Sequence, residues 1–498
     1  MDGAVKLART PVRLVSLGLL ASIVLPATAA PWLDPGDPRA RYSAQKLSDR
    51  GAMERTTSTW PMMWGNLEQG YEGATASSAT PDTTLDYLKF ERARQSSRGF
   101  RAEATLSGAS EAALIQGFNA GPQDSGQAGL TMEWIGNHWA LGLSPSFTQS
   151  PDDDDQVRAD GSYLAFSAGN WIFGVGSIER WWGPGWQSSL ILSNNARPIP
   201  SVWINRRNAA APESEWLEWI GPWDFTAFLG ELESKRAVAE PKILGMRLTM
   251  RPLQGLDIGL SRLIMLGGEG YSESSSTYWN AFIGRDNGQL EENDPGDQLG
   301  AVDIRYGTDL GPTTVGIYTQ MMGEDEAGAF PARKSWLFGA DATTSWLSAE
   351  QQWFVEYANT IADDFNGEAM PNITYSHSRY NTGQHYRGRN LAASQGGDAR
   401  MLTLGGWHFL TSGTNLGARL SHIELNTDGS TTVEPGSRDV RYLVPVRDQS
   451  LMHLSLSLGT EVAGGWLSSQ ASYSDTKIET LSGEIDQWRI AAEWRYRF

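Results

Sequence analysis

The chain ends in DQWRIAAEWRYRF, Asp486 to Phe498, and the reading of this stretch decides the class of fold. Apolar or aromatic residues occupy every second position: Trp488, Ile490, Ala492, Trp494, Tyr496 and Phe498. Arg489, Ala491, Glu493, Arg495 and Arg497 lie between them. A period of two makes a strand with one apolar and one polar face. A water-soluble sheet can carry that pattern, but here the aromatic series runs to the last residue. Such an ending resembles the signal by which insertion machinery recognises outer-membrane barrels, which makes the Phe498 strand its contact.

The same period recurs upstream. Trp139, Leu141 and Leu143 alternate with small residues, and Leu244, Met246, Leu248 and Met250 alternate with Gly245, Arg247, Thr249 and Arg251. Val302, Ile304 and Tyr306 flank Asp303 and Arg305, and Leu454, Leu456 and Leu458 flank two serines. The mean hydropathy is low, at −0.38. A transmembrane barrel accommodates that value, because only alternate residues meet lipid and the lumen face is polar. Arginines at alternate positions then point into a wet lumen, since a charge at the lipid midplane costs about 2–4 kcal/mol. The expected fold is an all-β, antiparallel transmembrane β-barrel.

Such barrels alternate short periplasmic turns with longer outer loops. Short turn signals fall at Gly136-Asn137, Gly169-Asn170, Leu253–Gly255, Asp309–Pro312, Leu347–Glu350, Thr411–Gly413 and Ala463–Gly465. Long polar connections fall near 109–125, 149–156, 182–200, 235–240, 267–298, 323–334, 362–399, 426–448 and 481–486. This parity predicts about eighteen strands over residues 98–498. The 207–222 connection breaks it: periplasmic by order, it is long and carries Trp216 and Trp219, and it reads as a small periplasmic elaboration.

A barrel this wide needs something to fill or gate its lumen. Residues 30–97 are the expected filler, a small helical plug at the periplasmic mouth. Asp37 caps a helix with Pro38 in its first position and Gly51 past its end. A second helical pattern covers Thr83–Gln95, with Asp82 as cap and the pairs Leu85/Leu88 and Tyr87/Phe90. Residues 1–29 read as a secretory signal peptide: Lys6, Arg9 and Arg13, an apolar run from Leu14 to Leu25, and Ala27-Thr28-Ala29 as cleavage site. The run of roughly 12 residues is shorter than the ~20 a membrane helix needs.

The formal net charge of −18 excludes a nucleic-acid partner, which requires a basic surface. The absence of cysteine excludes thiol catalysis, disulfides, Cys-zinc sites and a lipid-bearing N-terminal cysteine.

Several segments carry a resemblance that spans nearly the whole mature chain. They are GDPRARYSAQKLSDRG (36–51), TTSTWPMMWGNL (56–67), SYLAFSAGNW (162–171), ERWWGPGWQSSLILSNNARPIP (179–200), GLSRLIMLGGEG (259–270), NDPGDQLGAVDIRY (293–306), GEDEAGAFP (323–331) and HYRGR (385–389). With these segments the chain resembles the Wzi family of outer-membrane capsule assembly proteins. The resemblance implies a large monomeric barrel with a periplasmic helical plug in the outer membrane of a Gram-negative bacterium. It implies a surface lectin that anchors capsular or related extracellular polysaccharide, without cofactor and without enzymatic activity.

A lectin needs aromatic faces for sugar C–H surfaces and polar groups for hydroxyls and carboxylates. The 362–399 connection offers Tyr375, His377, Arg379, Tyr380, Tyr386, Arg387 and Arg389, a locally basic set that fits an acidic glycan. The alternative is that these residues knit the loops into a lid. Tyr278, Trp279 and Arg285 add candidates in the 267–298 connection, and Trp182 and Trp186 in the 182–200 connection. The tryptophans either line a sugar groove or pack a re-entrant loop. The acidic runs Asp152–Asp155 and Gly323–Glu326 read as solvated tips or bridges to divalent ions, and no dedicated metal site is expected.

Two other classes remain in view. A porin or channel for sugars or anions shares the barrel and predicts an open, conducting bore. An enzyme would need a catalytic set, yet there is no G-x-S-x-G elbow and no H-E-x-x-H. Of six histidines, the spacing puts His377, His385 and His422 near the outer side.

Overall fold

Lipid outside and polar groups inside is the inverse of a soluble core, and the burial pattern has that sense. Ile304 and Tyr306 are exposed, while Asp303 and Arg305 between them are buried. The computed structural model describes residues 32–67, 83–283, 296–324, 326–327 and 330–498. The leader at 1–29, the cap Asp82 and the candidate Arg285 lie outside the described residues.

Eighteen antiparallel strands form one closed barrel. They are β1 (Gly99–Ala109), β2 (Gly126–Ile135), β3 (Trp139–Leu143 and Ser146–Gln149), β4 (Val157–Arg158 and Tyr163–Ala168), β5 (Trp171–Ser177) and β6 (Pro200–Arg206). There follow β7 (Trp223–Glu231), β8 (Lys242–Leu253), β9 (Leu256–Leu266), β10 (Gly296–Leu310), β11 (Thr313–Glu324) and β12 (Lys334–Trp346). The last six are β13 (Ala349–Asn359), β14 (Arg400–Leu410), β15 (Asn415–Leu425), β16 (Gln449–Val462), β17 (Gly465–Ser474) and β18 (Trp488–Arg497). Each pairs with the next, and β18 returns to β1 with Ala491 opposite Ala109 and Arg497 opposite Glu103. The Phe498 amide extends this seam, donating to the Ala102 carbonyl at 3.0 Å. β3 is interrupted at Pro145, which has no N–H to give the ladder, while its carbonyl accepts from Leu130.

Every short turn read from the sequence joins two strands, and every long connection except 207–222 lies at the opposite end. One of the two-residue turns, Leu347-Ser348, has positive φ at both residues (53° and 54°), the twist such a hairpin needs. An outward apolar band includes Leu106, Phe173, Leu260, Ile317, Val355, Leu404, Leu420 and Ile490. Aromatic pairs flank it: Trp134 with Trp139 and Tyr496 with Phe498 at the short-turn end, Trp336 with Phe338 and Tyr473 with Trp488 at the other. This is the banding of an outer-membrane barrel, whose short turns face the periplasm.

Helix α1 (Pro38–Asp49) stands inside the lumen toward its short-turn end. Asp37 caps it, accepting from the amides of Arg39 and Ala40, and Pro38 opens it. Its polar residues from Arg41 to Asp49 are buried, and three of them meet the wall. Asp49 accepts two bonds from Arg305 of β10 at 2.6 and 2.8 Å, Gln45 donates to Asp341 of β12, and Lys46 pairs with Glu350 of β13 at 3.1 Å. Helix α2 (Thr83–Ser96) lies against α1. Leu85 and Leu88 are buried in the plug and the Tyr87 hydroxyl donates to Asp37 at 2.8 Å, but Phe90 is exposed.

The lumen therefore differs from the wet cavity expected around its arginines. Along β8–β13 the inward side chains Arg247, Asp257, Arg305, Gln320, Ser335 and Gln351 are dry and paired or packed against plug and loops. Along β17, β18, β1 and β2 the inward Gln470, Arg495, Glu103 and Glu133 keep accessible surface.

Candidate functional site

The long-loop end is where a polymer outside the cell would meet the molecule. Its deepest part is the 178–199 connection, which contains GPGW. The chain turns inward after β5, and Trp181-Trp182 pairs with Thr59-Trp60 of the plug as a two-residue ribbon. Gly185 allows the turn: a Cβ there would stand 2.1 Å from the Ser188 carbonyl oxygen. The bend aims three successive amides at one carboxylate. Trp186, Gln187 and Ser188 donate to Glu356 of β13 at 2.7, 3.2 and 2.6 Å, and the Tyr318 hydroxyl adds a fourth bond at 2.9 Å.

Trp182 and Trp186 are wholly buried. Trp186 lies 4.9 Å from the Trp407 ring, and the Arg41 guanidinium of α1 sits over it at 4.2 Å and over Phe118 at 4.5 Å. Arg41 also donates to the Pro184 and Gly185 carbonyls at 2.6 and 2.8 Å. Trp182 packs on Phe228. Of the two sequence readings, groove or re-entrant packing, both rings occupy the packed position.

The 360–399 connection divides its candidates. Tyr375 and Tyr380 are buried: their hydroxyls donate to the Leu190 and Gly267 carbonyls at 2.7 and 3.0 Å, and Tyr380 stacks on Tyr271. Burial pushes the Tyr375 phenol well up, so it stays protonated. His377 is half-buried and accepts from the amides of Arg379 and Tyr380 at 3.1 and 3.3 Å. Tyr386 is buried in a ribbon in which His385-Tyr386 faces Arg389-Asn390.

Arg387 pairs with Asp155, which also meets Arg197 at 3.2 Å. Asp153 binds both Arg158, at 2.9 Å, and Arg197. Burial alone would raise the Asp153 carboxyl, but Arg197 and Arg158 outweigh it and hold it below the usual carboxylate range. Asp153 and Asp155 thus have arginine counter-ions, while Asp154 is exposed and meets Lys235 at 2.8 Å. Arg389 turns inward, donating to Asn195 O at 2.8 Å and Ala113 O at 2.6 Å, and burial lowers its pKa to about 10. No group of His, Asp or Glu fit to hold a metal occurs among the described residues.

Tyr278 and Trp279 sit elsewhere. They belong to α3 (Ser275–Ile283), and Tyr278 packs against Leu244, Met246, Ile264 and Leu266, outward residues of β8 and β9. Trp279 is exposed. α3 thus lies against the outside of the wall, apart from the basic cluster.

One polar recess escaped the sequence reading. It lies between the 360–399 and 426–448 connections and is lined in part by Asn390, Asp398 and Asn426. The sequence sign was Gly396-Gly397-Asp398: a Cβ at Gly397 would stand 2.3 Å from the Thr374 carbonyl oxygen, so the backbone there runs close against its neighbour.

The family described as capsule assembly protein Wzi matches residues 95–488. The chain belongs to the Wzi capsule assembly family. A Klebsiella pneumoniae relative, described as an uncharacterized 55.8 kDa protein in the cps region, is 32% identical over 364 residues, covering 72% of this chain and 70% of that one. A solved Escherichia coli structure matches with TM-score 0.79 at 24% identity, over 94% of this chain and 100% of its own. It is described as Wzi, an outer-membrane protein involved in group 1 capsule assembly and a carbohydrate-binding β-barrel. That likeness establishes the fold of a Wzi barrel over 94% of the chain.

Proposed function

We propose that this Wzi-family barrel anchors capsular or related extracellular polysaccharide at the outer face of the outer membrane, as a monomer that binds without catalysis. The observation that carries the reading is the long-loop end. It is a lid held by ion pairs such as Arg158–Asp124 and Arg441–Glu111, above a lumen filled by α1 and the 178–199 connection. A polymer therefore meets a pre-ordered outer surface, and pre-organisation reduces the entropy lost on binding. The family and the carbohydrate binding stated for the E. coli protein point the same way.

The histidines near the outer side support binding over chemistry. His377 is committed to its own loop amides, and His385 is buried, where burial lowers its pKa to about 4 and leaves it neutral at pH 7. The outward apolar band supports lipid as the barrel's surroundings. The seam between Phe498 and Ala102 supports the C-terminal strand as the element that the insertion machinery completes.

Deletion of the gene should leave polymer synthesis intact and release the capsule into the medium, measured as uronic acid or total sugar in cell and supernatant fractions. Polymer that stays cell-bound in the deletion strain overturns the reading.

A further inference from the structure

The recess between the 360–399 and 426–448 connections contains polar groups that the protein itself leaves unmatched. Asn390 Oδ1 accepts from the Ala392 amide at 2.7 Å, Asp398 Oδ2 from the Asn372 amide at 2.8 Å, and Asn426 Nδ2 donates to the Pro445 carbonyl at 2.9 Å. Each side chain is thereby fixed at one end. The other ends, Asn390 Nδ2, Asp398 Oδ1 and Asn426 Oδ1, are buried and have no partner. The three residues are 4–6% exposed and line the same recess. Leaving a buried polar group unmatched is costly, so three on residues that line one recess mark a place able to receive hydrogen bonds.

The ligand class follows from the groups. One donor and two acceptors match neighbouring hydroxyls, each of which both donates and accepts. Val433 and Val444 supply an apolar wall for the C–H side of a ring. No arginine or lysine lines the recess, whereas Asp398 does, with Asp428 near it. A carboxylate would meet repulsion there. The basic residues that suggested an acidic glycan, Arg387 and Arg389, hold partners within the lid.

We infer that this recess is a subsite for a neutral, hydroxyl-bearing sugar unit or branch of the polysaccharide, read by Asn390, Asp398 and Asn426. The inference rests on the anchoring role above and deepens it. Burial raises the Asp398 carboxyl to about 6, so near pH 7.5 it is an acceptor, and at pH 5 it becomes a donor with altered preference.

The test uses the full-length protein in a micelle whose detergent has no sugar headgroup, titrated at pH 7.5 with methyl glucoside, methyl galactoside, methyl mannoside and galacturonate. At least one neutral glycoside should bind at least tenfold more tightly than galacturonate. Asp398→Asn, which keeps the bond to Asn372, and Asn426→Leu should each weaken it at least tenfold, with heat-modifiable gel mobility unchanged. Equal binding of galacturonate, or an Asp398→Asn variant that binds as the parent does, overturns the subsite. So does a soaked crystal holding ordered water only. Purified capsule separates the two claims: a protein that binds capsule but no neutral glycoside loses the subsite alone, and one that binds neither loses the anchoring role too.

Discussion

Trp186 shows how a residue can look like a ligand-binding group and serve as the centre of a fold. It touches the plug through Arg41, the wall through Phe354 and Trp407, and the 110–125 connection through Phe118. Removing a fully buried tryptophan costs about 3–5 kcal/mol. Trp186→Ala should therefore lower the thermal midpoint and the yield of folded barrel in a heat-modifiability gel. An unchanged midpoint with loss of capsule retention alone would make the ring a sugar contact. His385 belongs at the same scale. Burial lowers its pKa from 6.5 to about 4, with Arg236 adding to the shift. A base whose folded pKa is depressed contributes stability in full above about 6.5 and loses it as pH falls toward 4. Hydrogen-exchange protection of the 385–390 ribbon, corrected for intrinsic rates, should fall between pH 7 and pH 4.5. A flat profile would contradict a neutral buried imidazole.

Among the elements, the 207–222 connection is the one that its order did not explain. It ends in a short 3-10 turn, Glu218–Ile220, which places Trp216 and Trp219 at 88% and 63% exposure. It leaves the barrel between β6 and β7 at the short-turn end, beside Trp223 and the Trp171–Phe225 pair. Aromatic rings favour the headgroup level of a bilayer. In proteoliposomes, Trp216 and Trp219 should thus be quenched by lipids brominated near the headgroup, compared with a Trp216→Phe/Trp219→Phe variant. Equal quenching of the two proteins would place the turn in free water. The strands were legible because lipid and lumen impose a strict period of two, and the short turns because a two-residue connection needs particular backbone angles. The fate of the long connections was not legible. Gln187 meets Glu356 across 169 residues and Arg389 meets Asn195 across 194, and no local period records such pairings. The partners of the basic cluster were hidden for the same reason: its counter-ions lie on other connections, Asp155 for Arg387 among them.

At the scale of the molecule, plug, wall and re-entrant loop form one connected set of charges. Asp49, Arg305 and Asp341 join α1 to β10 and β12, and Arg41 joins α1 to the loop above. Breaking a buried pair by removing one partner costs about 3–5 kcal/mol, so the plug is held at several points at once. A sequence alone announced that something must occupy so wide a barrel, and the cap at Asp37 announced a helix. The cap did not announce which wall residues hold that helix, because its partners stand on strands made much later in the chain.

That order of synthesis has a consequence for the chain before it reaches the membrane. The bonds of α1 to Arg305 and Glu350 span 256 and 304 residues, so its charges wait unpaired until most of the barrel has been made. An apolar plug would spend that interval exposing surface to aggregation. α1 instead carries Arg39, Arg41, Lys46 and Asp49 among alanines and serines. The charges that are buried in the finished barrel are the ones that give the unpartnered helix a polar surface.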